Sequence, residues 1–217
     1  MSELKPELEG IYVVLIGSFN PQIFQPLWFS KEGLIQEPEA QKAEVQVIAP
    51  EAAVFSIGWM QLEVTHERFA ATTNQPQYFD ALRDLVLGVF KLLRHTPIKH
   101  LGINKLEHFR SSSEKEWHRI GHLLAPKEPW KGLLEEPGMR KVQMLGIRSD
   151  GFRGRISVTV EPSVKVKPGV FFGVNDHFEI EESEDVRSCE RMVEILGKAW
   201  QDSLARAEKI TRGIMKI

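Results

Sequence analysis

The chain has 217 residues, with 28 basic and 30 acidic side chains and a hydrophobic share of 42%, a make-up that excludes a disordered or fibrous chain and suits one globular domain with a substantial core. A formal net charge of −2 supplies no general basic field, which disfavours nucleic acid and anionic lipid as partners while leaving room for a local basic strip. The first residues lack a basic region followed by an apolar stretch, no run reaches membrane-spanning length, and the one cysteine, Cys189, has no partner for an intramolecular disulfide, so a cytoplasmic protein without a membrane partner is expected.

The continuous apolar run Ile11 to Ile16 predicts a buried strand. Asn20 and Pro21 then supply an N-cap and a first helical residue for a short helix carrying Ile23, Phe24, Leu27 and Trp28, with Pro26 limiting its length. Strand-like pieces return at Val45–Ile48 and Val54–Ile57. Met60, Leu62 and Val64 alternate with polar residues, and Arg68–Thr73 returns the chain as an antiparallel meander. A helix is expected over Gln77–Arg94, buried through Leu82, Leu85, Val86, Val89 and Leu93, and stopped by Pro97.

Ile98–Phe109 reads as a strand whose alternation slips near Leu106. Ser111, Ser112 and Ser113 provide caps for a helix through Trp117, Ile120, Gly121 and Leu124. Val142–Arg148 joins Arg155–Val160 through Ser149-Asp150-Gly151, a tight-turn signal. In the next strand Val170, Phe172, Val174, Phe178 and Ile180 face one way and Asn175, His177 and Glu179 the other. A final helix over Ser183–Arg212 carries the stripe Val186, Cys189, Val193, Leu196, Trp200, Ser203, Ala207, Ile210 and Ile214. Glu184 and Asp185 lie in its first turn, and Glu194–Lys198, Asp202–Arg206 and Glu208–Arg212 are spaced to pair on its outer face.

The expected fold is therefore a single α+β domain over residues 1–217, with a mainly antiparallel sheet covered on one face by two long helices. The repeated order also fits an internal duplication of a β-α-β-β-β-α unit, with halves at 9–95 and 97–213; chance order in an α+β chain is the competing explanation.

Few residues combine in a way that chemistry demands. His118 and His122 stand four apart on a predicted helix, a spacing that presents two imidazoles to a divalent metal, but Arg119 stands where a metalloprotease would have glutamate. Solvated or capping histidines are the competing reading. Asn104, His108, Asn175 and His177 lie on predicted strands that could share one face. Asp176 points away from its neighbour, so a register-fixing polar network competes with a catalytic role for His177. Arg148, Arg153 and Arg155 cluster at a hairpin as anion ligands or as a charged rim that guards a sheet edge. Phosphate-loop, dinucleotide, nucleophile-elbow and Cys-x-x-Cys signatures are absent from the sequence, and no cofactor is predicted.

The blocks His95-Thr96-Pro97 through Leu101-Gly102-Ile103-Asn104, and Asn175-Asp176-His177-Phe178 with the long helix closing near Ile210-Thr211, resemble a sporadically distributed family of uncharacterised, conserved hypothetical bacterial proteins. The resemblance lies mainly in the second half and implies no activity. The sequence is thus read as a non-enzymatic binding or adaptor protein, a homodimer or the partner of another protein, with Trp28 and Trp130 as contact residues. The alternative is a metal-dependent or His-based hydrolase using His118, His122 and His177.

Overall fold

The computed structural model of the chain describes residues 4–181 and 187–216. In chain order its elements are β1 (Leu8–Gly17), α1 (Pro26–Lys31), α2 (Glu37–Gln41), β2 (Glu44–Ile48), β3 (Ala52–Ile57), β4 (Met60–Thr65), β5 (Arg68–Thr73), α3 (Phe79–Leu92), β6 (Ile98–Arg110), α4 (Glu114–Leu124), β7 (Val142–Ile147), β8 (Gly154–Pro162), β9 (Gly169–Glu179) and α5 (Ser188–Met215). The strands form one antiparallel sheet in the order β2-β3-β4-β5-β1-β6-β9-β8-β7. Among the described residues, no helix is long and apolar enough to cross a membrane.

Local chemistry sets several of these boundaries. The Asn20 side chain accepts from the Gln22 N–H at 3.2 Å and opens a 3-10 turn at Pro21–Ile23, and Ser113 caps α4 by accepting from the Glu116 N–H at 3.2 Å. Each acceptor satisfies a donor that the helical ladder leaves unpaired. Gly154 opens β8 at φ 131°, where an added Cβ would lie 2.0 Å from the His177 carbonyl oxygen. Only glycine fits there.

One face of the sheet carries the core. Ile11, Val13 and Leu15 of β1 and Leu101 and Ile103 of β6 are buried in one cluster with Leu82, Val86 and Val89 of α3 and Met192, Leu196 and Trp200 of α5. A second cluster joins Phe109, Val160, Val170 and Phe172 to Ile120 of α4 and Met215 of α5. Pair registers place all these strand residues on the same side, so α1, α3, α4 and α5 share that side too. Cys189 belongs to this core. Its Sγ lies 3.3 Å from the Phe90 carbonyl, and burial pushes the thiol up to about 12, so it stays protonated and unreactive at neutral pH.

The helical expectations need adjustment. Helix α3 spans 14 residues behind a 3-10 turn at Pro76–Tyr78, whereas α5 spans 28. The expected start of the last helix at Ser183, with Glu184, Asp185 and Val186, lies outside the described residues. Within α5, Met192, Ile195, Ala199, Thr211 and Met215 are buried, while Val193, Ile210 and Ile214 are only half-buried. The buried line runs in steps of four from Ala199 to Met215, each step turning about 40° further round a 3.6-residue helix, so the buried stripe winds around α5 and leaves the expected three-and-four line. Between α2 and α3 stand four strands rather than three. Outward from the central β1–β6 pair, β5, β4 and β3 on one side match β9, β8 and β7 on the other, with β2 as the extra strand.

Candidate functional site

The opposite face of the sheet has no helix upon it among the described residues, and its side chains belong to neither core cluster. Its centre is polar. Strand register sets Asn104 between Tyr12 and Asn175, Gly102 between Val14 and His177, and His177 between Gly102 and Arg155. The Asn175 amide nitrogen donates to Asn104 Oδ1, and the Asn104 amide nitrogen approaches the Tyr12 carbonyl at 3.4 Å. A Cβ added at Gly102 would lie 3.2 Å from both of these amide nitrogens. Each amide carries two hydrogens and uses one in these contacts, so a donor hydrogen remains on each nitrogen above Gly102, which is itself buried beneath them.

The rings of His100 and His177 complete the rim, with centroids 5.1 Å apart. Burial, and after it the neighbouring His100, holds the His177 imidazole below its usual range against the opposing pull of Glu179. His100 Nδ1 is buried without a hydrogen-bond partner. Arg155 is exposed opposite His177 and forms no ion pair among the described residues. Ser157, beside Asn175, accepts from the Gln143 amide at 3.0 Å and touches neither imidazole. The site is rich in donors and lacks a poised nucleophile.

Asp176 faces the other way. With Asp150 it forms a quartet against Arg148 and Arg206 in which Asp176 and Arg148 are buried and the other two reach solvent: Arg148 bonds both carboxylates, and Arg206 bonds Asp176 and, at 2.7 Å, Asp150. Arg148 also lies 3.7 Å over the Phe178 ring. Arg206 is thereby drawn from the pairing with Asp202 that helical spacing suggests, whereas Glu194–Lys198, at 2.7 Å, and Glu208–Arg212 do form.

The hairpin arginines are thus divided. Arg148 is consumed on the helix side, Arg153 pairs with Glu181, and only Arg155 reaches the open face with Asn175 and His177. None stands on the edge strand β7, so they do not guard it. His118 and His122 lie on α4 with ring centroids 6.3 Å apart, and α4 packs on the helix side. The sheet therefore separates them from His177. Among the described residues, no group of three or more His, Cys, Asp or Glu is placed to hold a metal. Trp28 packs edge-on against Phe29 at 5.1 Å, while Trp130 is half exposed.

Two features went unanticipated. His108 Nδ1 lies 2.8 Å from Ser163 Oγ, but both residues are buried and Ser163 also accepts from the Lys165 and Val166 N–H groups, which makes it a turn-closing residue. On the helix side, Lys105 and Glu107 wall a cavity of about 390 Å³ with Glu9 and Leu204. Lys105 pairs with Glu9, while burial pushes the Glu107 carboxyl up and leaves its Oε2 without a partner.

No known protein family matches the chain, and neither does any curated protein. Among solved structures it is similar to the crystal structure of DynU16, a protein of the dynemicin biosynthetic locus, at 15% identity over 77% of this chain and 78% of that one. The TM-score is 0.23, too low to carry an argument about fold or function.

Proposed function

We propose that the chain is a non-enzymatic binding protein whose ligand presents an acceptor group, a carboxylate in the first instance, to the Gly102 seat on the open sheet face. The observation that supports this reading is the convergence of two amide nitrogens with spare hydrogens directly above the buried Gly102, on a face that no described helix covers and with imidazoles and a guanidinium around them. Such directional donors recognise an anionic oxygen far better than water-exposed charge alone. The competing hydrolase reading needs His118, His122 and His177 together, and nothing in the geometry favours it. A cytoplasmic setting and a duplicated ancestry of 9–95 and 97–213 belong to the same proposal. The matching strand order around β1 and β6 supports the ancestry.

Acetate is the simplest probe. In titrations of the wild-type chain followed by NMR, the side-chain NH₂ signals of Asn104 and Asn175 are expected to shift and saturate. Gly102→Ala places a methyl group in the seat and should abolish those shifts while leaving the melting temperature nearly unchanged, since the flanking amides need move only slightly. Unmoved Asn104 and Asn175 signals in the wild type would overturn the proposal.

A homodimer is the second element of this reading, supported by the unequal guarding of the two sheet edges. Strand β2 carries Glu44 and a register shift between Val45 and Val47, whereas β7 is regular and uncharged, with Met144, Leu145 and Ile147 exposed by 65, 62 and 93%. An unguarded apolar edge pairs readily with its own copy, antiparallel across a two-fold axis. Light scattering should give twice the chain mass, falling to one chain mass for Met144→Lys; a wild-type monomer at high concentration would remove the dimer from the reading.

A further inference from the structure

The open face changes character toward β7, and this gives the ligand a second requirement. From Gly102 and Asn104 on β6 the same rows run over His177 and Asn175 on β9, then Arg155 and Ser157 on β8, and end at Ile147 and Leu145 on β7. Three strand spacings separate the seat from that edge, about 14 Å. Both terminal side chains are large, apolar and among the more exposed of their kind in the chain. In the other direction the row leads over Val14 and Ala70 to Glu63 on β4, a carboxylate held by Arg68 at 3.1 Å. Beyond that ion pair the row continues over Val54 to Val47 on β2, an edge whose apolar side chains are smaller and less exposed, 41% for Val47, than Leu145 and Ile147.

We infer that the natural ligand is an amphiphilic monocarboxylate, its head on the Asn104 and Asn175 amides over Gly102 and its apolar body laid across Arg155 and Ser157 onto Leu145 and Ile147. This rests on the open-face reading above and narrows it to a ligand class. The arginine sits between the two ends. Its guanidinium answers the carboxylate, while its methylene stem continues the apolar path toward the edge. Covering Ile147 and Leu145 removes exposed apolar area from water, a contribution that acetate has no means of making. A neutral amphiphile gains the apolar contact but leaves the donors around Gly102 no better satisfied than water does.

Three probes separate these contributions: decanoate below its micelle concentration, decanol, and acetate, each titrated against the full chain by calorimetry and by NMR. Decanoate is expected to bind at one site per chain, at least tenfold tighter than either decanol or acetate. Arg155→Gln, at an exposed position, should weaken decanoate several-fold while leaving it tighter than decanol, because the Asn104 and Asn175 donors remain. Ile147→Ser should weaken decanoate several-fold and leave the acetate shifts of Asn104 and Asn175 in place. Equal binding of decanoate and decanol would overturn the inference in favour of a merely sticky edge. If acetate produces its shifts at Asn104 and Asn175 but decanoate binds no tighter than acetate, the amphiphile falls while the carboxylate seat stands. Failure of both probes to move those signals overturns the seat as well.

Discussion

Trp200→Ala is expected to destabilise the fold by about 3–5 kcal/mol, the range for truncating a fully buried aromatic side chain. The indole is wholly buried at the junction of α3 and α5, its Nε1 donates to Asp80 Oδ1 at 2.8 Å, and Arg83 lies 6.0 Å from its ring. It therefore fills space and also ties two helices together. The hydrogen bond is the smaller part. Asp80 is well exposed and also accepts from Gln201 at 3.2 Å, so loss of the indole N–H leaves its carboxylate hydrated rather than stranded. Trp200→Phe, which keeps much of the ring and loses the donor, should consequently cost well under half as much as the alanine variant. Urea denaturation followed by circular dichroism reads both, and the alanine variant should also melt roughly 6–20 °C lower for a chain of this size. A shift below about 1 kcal/mol would mean that the two helices do not depend on this packing.

The helix that carries Trp200 also shows what local pattern reveals and where it stops. Period-two alternation made β9 legible: the same chemistry that puts Val170, Phe172 and Val174 inward forces Asn175 and His177 outward. That Asn175 would meet Asn104, or His177 face Gly102, depends on register between strands some seventy residues apart, for which no local signal exists. The supposed slip of alternation near Leu106 was itself a signal. Register with β9 runs unbroken to Arg110, and Lys105 and Glu107 keep the helix-facing positions. Charged residues on an inward face indicate a buried ionic site, not a lost period. Similarly, Asp202 and Arg206 had the right helical spacing, but a fold that brings two carboxylates to Arg206 offers it more than one exposed neighbour does.

The largest effect outside the hydrophobic core should come from Asp176→Ala, about 3–5 kcal/mol of lost stability. The Arg148 side chain is 1% exposed and that of Asp176 2%, while Asp150 and Arg206 reach solvent at 21 and 22%. Removing Asp176 leaves two guanidiniums against one carboxylate, with the buried Arg148 bearing most of the imbalance. Asp150→Asn should cost less, because its site is partly hydrated and Asp176 still answers both arginines. A variant that replaces Arg148 and Asp176 together by apolar residues of similar size should recover part of the loss, since the whole pair must otherwise be desolvated. Acid offers an independent check. Burial pushes the Asp150 carboxyl up, but the hydrogen bond and charge of Arg148, helped by Phe152 N–H and Arg206, outweigh it and hold the group below its usual range. A depressed carboxylate contributes stability above its unfolded value, about 3.9, and loses it as pH falls through the lower folded value. Wild-type stability should therefore fall in that acidic window more steeply than that of Asp150→Asn. The quartet also bears on the open face, because Arg148 donates to the His177 carbonyl at 3.3 Å and Asp176 precedes His177 in β9. If the quartet holds this strand in place, Asp176→Ala will weaken decanoate binding as well as the fold, and a destabilised variant with unchanged affinity would confine the quartet to a structural role.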